Sequence, residues 1–246
     1  MNILVIGAGG REHSILLKLK ESNQCDKLYA MPGNAGTSEI ATNVTGFDVN
    51  NDHSEIIKFV KEKNIELTVV GPEEPLIYGI VDSFEKAGLN IFGPSKRAAI
   101  LEASKTYSKD FMKKFNIPTA DFENFSDFDK AFNYIKEQNQ FPTVVKASGI
   151  AAGKGSVICF SLEEAENTLK EIMVDKIFGD SGDEVVIEEF LIGEEASIFA
   201  VSDGDKFKIL VSAQDHKQIY DGDKGPNTGG MGTYAPAPVL TNTLME

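Results

Sequence analysis

The 246-residue sequence has little of several features that define whole classes of protein. Its only cysteines are Cys25 and Cys159, a number that argues against a disulfide scaffold or a Cys-based zinc site and suits a reducing compartment. No run of about eighteen apolar residues occurs, so neither a transmembrane helix nor a membrane partner is expected. The N-terminus lacks a basic region and a cleavage site, so Asn2–Ile6 is interpreted as a strand rather than a signal peptide. Together these absences predict a cytoplasmic protein.

Positive charge is also scarce. The sequence has 24 Lys and Arg residues against 38 Asp and Glu residues, a formal net charge of −14, and Arg11 and Arg97 are its only arginines. A general nucleic-acid-binding protein normally shows the opposite balance, so no nucleic-acid partner is expected. Any anionic ligand must instead be held locally, by backbone amides and a few placed lysines.

The pattern of the chain changes near residue 100, and 246 residues leave room for two domains. Before that point, strand and helix patterns alternate, which predicts an α/β domain with a parallel sheet and helices on its faces. The predicted strands are Asn2–Ile6, Lys27–Ala30, Glu66–Val70 and Asn90–Phe92. The predicted helices are Arg11–Glu21, Ser54–Lys63 and Leu76–Ala87.

The remainder predicts an α+β region with an antiparallel sheet. Its predicted strands are Ala120–Glu123, Thr143–Ala147, Ser156–Phe160, Glu184–Glu189, Glu195–Ser202 and Lys206–Ala213. Its predicted helices are Ser95–Phe115, Asp127–Gln138 and Leu162–Val174. Ser161 and Glu164 indicate a capping box, and Asp203-Gly204 indicates a hairpin turn. The segment Asp221–Pro238 is rich in Gly and Pro and is predicted to be a loop.

A first glycine motif, Gly7-Ala8-Gly9-Gly10, ends the first strand and opens the first helix. That position directs backbone N–H groups and a helix N-terminus toward an anion. A dinucleotide fingerprint would need Gly where Glu12 stands, so a nicotinamide cofactor is disfavoured. The alternative is a tight turn without a ligand.

A second glycine motif runs from Lys146 to Gly155 between two predicted strands. It is not a Walker A loop, because the spacing is one residue too short and Gly155 replaces Ser or Thr. A loop of small residues can fold over phosphates with its amides as donors, and Lys146 and Lys154 would supply positive charge. The alternative is an exposed hairpin with solvated lysines.

Two further groups of residues have possible binding roles. Glu188-Glu189-Phe190-Leu191 ends an apolar strand and is followed by Glu194-Glu195, so backbone groups could meet an adenine and a carboxylate could meet ribose hydroxyls. The alternative is a solvated acidic face. Asp215-His216-Lys217 precedes the glycine-rich stretch Gly225–Gly232, which is best explained as backbone close to a ligand. A lone histidine is more often structural, which is the alternative for His216.

These motifs resemble the phosphoribosylamine–glycine ligase (glycinamide ribonucleotide synthetase) family of the ATP-grasp superfamily. The resemblance extends from Met1 to about Pro238 and rests on Gly7–His13, Pro32–Thr37, Lys146 with Ala151–Gly155, and Gly225–Gly232. It implies an open parallel, Rossmann-like substrate domain over residues 1–100. It also implies an ATP-grasp domain over residues 101–246, with a small subdomain at about 120–191 and its C-terminal part missing.

The resemblance implies a reaction. Glycine would take the γ-phosphate of ATP to form glycyl phosphate, and the amine of 5-phosphoribosylamine would attack it. The products would be glycinamide ribonucleotide, ADP and phosphate, in purine biosynthesis. ATP and Mg²⁺ (or Mn²⁺) would be required, with the metal ligands beyond residue 246 and none within the chain. The partners would be small molecules only, and a monomer is expected.

Roles are implied by matched position. The resemblance implies phosphate contacts for Lys105 and Lys146, and a flexible phosphate cover for Gly149, Gly153, Lys154 and Gly155. It implies adenine contacts for Glu188, Glu189 and Leu191, and a ribose contact for Glu195. Catalytic roles are implied for Lys146, Asp215, His216 and Lys217. Substrate contacts are implied for Gly9, Gly10, Glu73, Asn227, Thr228, Gly229 and Gly230. Two residues depart from the family pattern, namely Ser148, where Asp is more usual, and Gln218, where Arg is common.

Two other functions remain open at this stage. The chain could be a nucleotide-binding fragment without catalysis, an alternative that the missing C-terminal part keeps open. It could also be an ATP-grasp ligase for another carboxylate, against which Gly225–Gly232 argues.

Overall fold

The computed structural model describes residues 1–151, 153–222 and 224–245. Ala152, within the predicted phosphate loop, lies outside the described residues. The chain divides into two compact units, Met1–Ser108 and the part from Lys109 onward. Across the described ranges, no helix is long and apolar enough to span a bilayer.

The first unit is built on a parallel sheet of five strands, as the alternating pattern predicts. The order across the sheet is β3-β2-β1-β4-β5. The strands are β1 (Asn2–Gly7), β2 (Lys27–Pro32), β3 (Thr42–Asn43), β4 (Ile65–Val70) and β5 (Ile91–Phe92). Central strand β1 is buried on both faces, with Leu4 and Ile6 in one core cluster and Ile3 and Val5 in another. This double burial explains its uninterrupted apolar sequence.

The helices of this unit cover the sheet, and two predicted helices are divided. The observed helices are α1 (Gly10–Lys20), α2 (Ser54–Glu62), α3 (Glu73–Ile77), α4 (Ile80–Lys86) and α5 (Lys96–Ala103), followed by α6 (Lys105–Phe115), which continues past Ser108. The predicted helix Ser95–Phe115 is interrupted at Ser104, whose backbone is extended. The predicted single helix Leu76–Ala87 is instead two helices, because Gly79 adopts a left-handed conformation with φ of +85°. Glycine reaches that conformation without the steric penalty that a side chain incurs.

The second unit contains an antiparallel sheet of four strands in the order β6-β9-β7-β8. The strands are β6 (Phe122–Phe125), β7 (Thr143–Ala147), β8 (Ser156–Cys159) and β9 (Val185–Glu189). Helices α7 (Phe128–Gln138) and α8 (Leu162–Leu169) pack on this sheet. Their core cluster includes Ile135 and Leu169 from the helices and Val145 and Ile187 from the central strands.

Helix α8 begins at Leu162 after Ser161, as predicted, but its capping box and its end differ from the prediction. Ser161 caps the helix, because its Oγ accepts the N–H of Glu164 at 3.2 Å. The carboxylate of Glu164 accepts from the N–H of Phe160, at 2.7 Å, so the predicted reciprocal box forms one residue early. The helix also changes to a π-helical turn over Lys170–Val174.

Beyond β9 the chain forms two separate antiparallel pairs, and only the first was predicted. β10 (Ala200–Ser202) and β11 (Phe207–Ile209) pair across the Asp203-Gly204 turn. Both strands are shorter than predicted, and beyond them the two segments are joined by a hydrogen bond from the N–H of Leu210 to the carbonyl of Phe199 and by an isolated bridge between Ser197 and Ala213.

The glycine-rich stretch is a strand, so the prediction of a loop over Asp221–Pro238 is wrong for most of its length. β12 (Gln214–Tyr220) pairs with β13 (Lys224–Tyr234), and irregularities interrupt the register on either side of Gln218. Backbone hydrogen bonds need no side-chain pattern, so a strand of Gly, Asn and Thr shows no apolar alternation to detect. The last helix is α9 (Asn242–Met245).

We expect the first unit to depend strongly on Phe84, which is fully buried on α4. The substitution Phe84→Ala should lower the free energy of unfolding by about 3–5 kcal/mol, because it removes buried apolar area and leaves a cavity. Phe92→Ala is the matched control in the same unit, since Phe92 is 49% exposed. Urea unfolding measures both variants. Equal effects of the two substitutions would contradict this account of the core.

Candidate functional site

A buried carboxylate lies between two ammonium groups in the second unit. Glu188 on β9 is 7% exposed. Its Oε1 pairs with Nζ of Lys146 on β7, and its Oε2 lies 2.6 Å from Nζ of Lys109 on α6. Lys146 and Glu188 are diagonal neighbours on one face of the sheet, because Val144 pairs with Glu188 and Lys146 pairs with Val186. The paired central strands therefore bring two predicted residues together.

Lys109 was not predicted as part of this site. It is 9% exposed, and its ammonium also donates to Oγ1 of Thr119 at 2.7 Å and to the carbonyl of Ala120 at 3.3 Å. Lys105 is the first residue of α6, one helical turn before Lys109. That spacing puts both lysines on one face of the helix, which is the signal that could have identified Lys109.

Two backbone amides of the loop between β7 and β8 donate hydrogen bonds to carbonyl groups of the protein itself. The N–H of Gly149 donates to the carbonyl of Ser181 at 3.0 Å, and the N–H of Lys154 donates to the carbonyl of Ala151 at 2.9 Å. A Cβ at Gly149 would lie 2.6 Å from Cα of Ser181, so only glycine fits there. These two amides are therefore committed within the protein and are not free to serve a phosphate.

The exposed tip of this loop lines a cavity of about 650 Å³. Gly153 and Lys154 lie on one side, and Gln218, Lys224 and Asn227 lie on the other. The cavity joins two glycine motifs that are some seventy positions apart in the sequence. Only the folding of the β12–β13 pair within the second unit brings them together.

A smaller cavity of about 270 Å³ collects six of the predicted residues. Its lining includes Leu191, Glu195, Asp215, His216, Lys217 and Asn227. Ile158, Gln218 and Asn227 line this cavity and the larger one, so the two share a wall.

Lys217 is held by two carboxylates in this smaller cavity. Its Nζ lies 3.1 Å from Oε2 of Glu195 and 3.5 Å from Oδ2 of Asp215. Partial burial acts to lower the pKa of Lys217, but the hydrogen bond and charge of Glu195 and the charge of Asp215 outweigh it and leave the pKa raised. Lys217 is therefore a cation here. Thr228 tethers it from β13, because its Oγ1 donates to the carbonyl of Lys217 at 2.8 Å.

Some predicted residues lie elsewhere. Glu189 is exposed and lines a different cavity of about 590 Å³, with Asp121 and Tyr134. Gly229 and Gly230 are exposed on β13. Lys105 belongs to the first unit and is partly buried. The roles predicted for these four residues remain predictions.

In the first unit, the predicted anion-binding turn is occupied by the chain's own carboxylate. Glu12 is buried, and its Oε2 accepts the N–H of Gly9 at 2.7 Å. The surrounding glycines make the space, because a Cβ at Gly71 would overlap Oε1 of Glu12 and a Cβ at Gly7 would overlap its Cγ. The Gly9 amide is therefore committed to Glu12. A Cβ at Gly10 would meet no atom within 4 Å, and Gly10 remains a predicted substrate contact.

Arg11 links this carboxylate to a second one. Its Nε donates to Oε1 of Glu12 at 2.9 Å and its Nη1 donates to Oε1 of Glu73 at 3.2 Å. Partial burial alone would raise the pKa of Glu73, but its backbone hydrogen bond and Arg11 hold it below the ordinary value. Glu73 is therefore an anion at neutral pH, and its predicted substrate contact remains a prediction.

The described residues offer no metal centre. Within residues 1–151, 153–222 and 224–245, no group of three or more His, Cys, Asp or Glu side chains is placed to hold a metal ion. The expectation that the Mg²⁺ or Mn²⁺ ligands lie beyond residue 246 remains a prediction.

Two family models match the chain end to end. Residues 1–102 match the phosphoribosylglycinamide synthetase N domain, and residues 103–246 match the phosphoribosylglycinamide synthetase ATP-grasp (A) domain. The chain belongs to the phosphoribosylglycinamide synthetase family. The resemblance inferred from the glycine motifs is thereby confirmed, and so is the ATP-grasp fold class.

Relatives and solved structures agree with this membership. The phosphoribosylamine–glycine ligase of Streptococcus pyogenes serotype M1 is 50% identical over all of the chain and 58% of its own length. The crystal structure of the Thermotoga maritima phosphoribosylamine–glycine ligase matches 96% of the chain and 56% of its own, with 35% identity and a TM-score of 0.80. The chain thus spans less than two thirds of the length of these synthetase-family relatives.

A more distant structure shows the fold alone. The biotin carboxylase domain of 2-oxoglutarate carboxylase from Hydrogenobacter thermophilus, solved with MgADP, matches 88% of the chain and 50% of its own. The identity is 20% and the TM-score 0.69.

We expect the glycines around Glu12 to be required for the stability of the first unit. Gly71→Ala should lower its free energy of unfolding by about 1–3 kcal/mol, because the added methyl group displaces a buried, hydrogen-bonded carboxylate. Gly10→Ala is the control, since a Cβ there meets no atom within 4 Å. Thermal unfolding compares the two, and a Gly71→Ala variant as stable as the control would refute this packing.

Proposed function

We propose that this chain is the part of a phosphoribosylamine–glycine ligase that binds ATP and phosphoribosylamine. In the whole enzyme the reaction would join glycine to 5-phosphoribosylamine through glycyl phosphate, giving glycinamide ribonucleotide, ADP and phosphate in purine biosynthesis. The observation that carries this proposal is the wall of Ile158, Gln218 and Asn227 that the two cavities share. We treat the two adjoining cavities as one groove, which gathers several motifs that are separate in the sequence.

The two ends of this groove have different chemistry. The smaller cavity has Leu191 and Ile158 as apolar surfaces and Glu195 as a carboxylate, which suits an adenine ring and ribose hydroxyls. The larger cavity has Lys154 and Lys224 as cations and the Gly153 backbone at its edge, which suits a polyphosphate. A nucleoside triphosphate would lie across the shared wall with its phosphates toward the lysines.

The reaction would need positioning and charge neutralisation more than a protein nucleophile. The carboxylate of glycine attacks the γ-phosphorus, ADP leaves, and the amine of phosphoribosylamine then displaces phosphate from the glycyl carbonyl. Both steps bring anionic groups together, so cations such as Lys146 and Lys154 would lower the repulsion and orient the reactants. His216 and Asp215, in the smaller cavity beside Lys217, would contact the substrate.

Other attributes of the proposed enzyme rest on family resemblance. Its Mg²⁺ or Mn²⁺ ligands are proposed to lie in the part of the relatives that this chain does not span. Its substrates would be small molecules, and we expect a cytoplasmic monomer.

A second candidate is nucleotide binding without turnover by this chain alone. The observation in its favour is that no metal-ligand cluster occurs among the described residues, while the groove is present. A ligase for a different carboxylate is disfavoured, because relatives about half identical over the whole chain are phosphoribosylamine–glycine ligases.

A chimeric enzyme tests the proposed function. The chain would replace the matching 58% of the Streptococcus pyogenes ligase, and ADP release would be followed with ATP, Mg²⁺, glycine and freshly generated phosphoribosylamine. We expect release that depends on both glycine and phosphoribosylamine, and no release from the chain alone. A folded chimera that accepts a different carboxylate in place of glycine would overturn the proposal. Glycine-dependent turnover by the chain alone would exclude the second candidate.

We expect Lys146 to carry much of the affinity for ATP. Lys146→Ala should weaken ATP binding by about tenfold or more, because a charge-assisted contact contributes roughly 1.5–3 kcal/mol. Lys170→Ala is the control, since Lys170 pairs with Glu166 on the surface of the same unit. Isothermal calorimetry measures both. Unchanged affinity in Lys146→Ala would exclude this role.

A further inference from the structure

The cluster of Lys109, Glu188 and Lys146 contains two positive charges and one negative charge, and its members differ in exposure. One carboxylate is shared by two ammonium groups, so the three side chains together carry one net positive charge. Their exposure differs, because the side chain of Lys146 is 29% exposed while those of Lys109 and Glu188 are 11% and 6% exposed. The net charge can therefore reach solvent or a ligand only through Lys146.

The buried lysine is fully engaged by the protein. An ammonium group has three N–H donors, and that of Lys109 has three oxygen neighbours, on Thr119, Ala120 and Glu188. The ring of Phe122 lies 5.2 Å from the same Nζ. Lys109 thus makes two hydrogen bonds and one ion pair within the protein, and its buried ammonium is turned to these groups.

Glu188 depends on this lysine for one of its oxygens. Oε2 is buried, and among the described residues it has no hydrogen-bond partner apart from its ion pair with Lys109. Without Lys109, the charge of Glu188 would be balanced by Lys146 alone. The ammonium of Lys146 would then be neutralised within the protein and would attract an anion weakly.

We propose that Lys109 is a positioning residue, which neutralises Glu188 from the buried side and so leaves Lys146 with an uncompensated positive charge for a polyphosphate. The inference rests on the proposed function, in which Lys146 contacts the phosphates of ATP. Part of the affinity for the phosphates of ATP would then depend on Lys109, which does not contact them.

Variants that change the net charge of the cluster distinguish this role of Lys109 from a purely structural one. Lys109→Met makes the cluster neutral, and the double variant Lys109→Met with Glu188→Gln restores one net positive charge while leaving the buried lysine absent. Lys113→Met is the matched control, because Lys113 is an exposed lysine on the same helix whose Nζ lies 5.5 Å from the same Phe122 ring. Calorimetry with ATP and with adenosine, in one magnesium-containing buffer, gives the affinity for the phosphates apart from that for the nucleoside.

We expect Lys109→Met to bind ATP about tenfold more weakly while adenosine affinity stays within about twofold, since one charge is lost near the phosphates and none near the base. The double variant should recover the preference for ATP over adenosine to within about threefold of the unsubstituted chain, because the net charge returns and the loss of an adenine contact would weaken both ligands alike. Lys113→Met should leave both affinities unchanged.

The outcomes that overturn the inference are distinct from those that overturn the proposed function. If the unsubstituted chain binds ATP and a folded Lys109→Met variant keeps its preference for ATP over adenosine, the inference is wrong and the function stands. If the preference for ATP over adenosine is lost in Lys109→Met and not recovered in a folded double variant, Lys109 is structural only. If Lys109→Met does not fold, the double variant decides alone, since recovery supports charge compensation and loss overturns it. If the unsubstituted chain binds no ATP, both proposals fail.

Discussion

Much of the candidate site depends on the burial of one carboxylate, that of Glu188. A buried charge without a partner costs several kcal/mol, so the fold must supply opposite charges to it. It does so from β7 and from α6, with Lys146 on one oxygen and Lys109 on the other. The same ion pairs therefore tie a helix to the two central strands of the sheet and set the position of the Lys146 ammonium, the more exposed cation of the cluster. In a chain with a net charge of −14, a local excess of one positive charge has to be built in this way.

The first unit uses its own carboxylate in a related manner. Glu12 fills the space left by three glycines and accepts the amide at the start of α1, while Arg11 balances its charge. Glu12 also stands where a dinucleotide-binding fingerprint would have glycine. The burial of Glu12 and the departure from the fingerprint are linked. The carboxylate of Glu12 occupies the polar turn in which a dinucleotide-binding fold would hold the diphosphate. Each unit thus pairs a buried glutamate with neighbouring basic side chains.

Secondary structure could be predicted for segments whose side chains follow an apolar pattern. It could not be predicted for segments that lack one. The apolar run of β1 and the spacing in α7 indicate their elements directly, and the structure has both. The strand β13 has no such pattern, since its residues are Gly, Asn and Thr in the main, and it was predicted as a loop. Its pairing with β12 depends on backbone groups, which are the same in every residue type. The division of the helix at Gly79 was missed for a related reason, because glycine permits a left-handed conformation without requiring it.

The sequence by itself determined the alternation that makes a parallel sheet, the family through its glycine motifs, and the identity of some of the residues that line the groove. Residues within one motif have a fixed spacing along a strand or loop, so their chemistry can be inferred locally. Only the tertiary structure decided which motifs share a cavity, which amides are already committed within the protein, and that Lys109 balances Glu188. These depend on contacts between segments far apart in the chain, such as Lys109 with Glu188 and Lys154 with Asn227 across one cavity. No local pattern specifies them, because packing of the whole unit sets the distances.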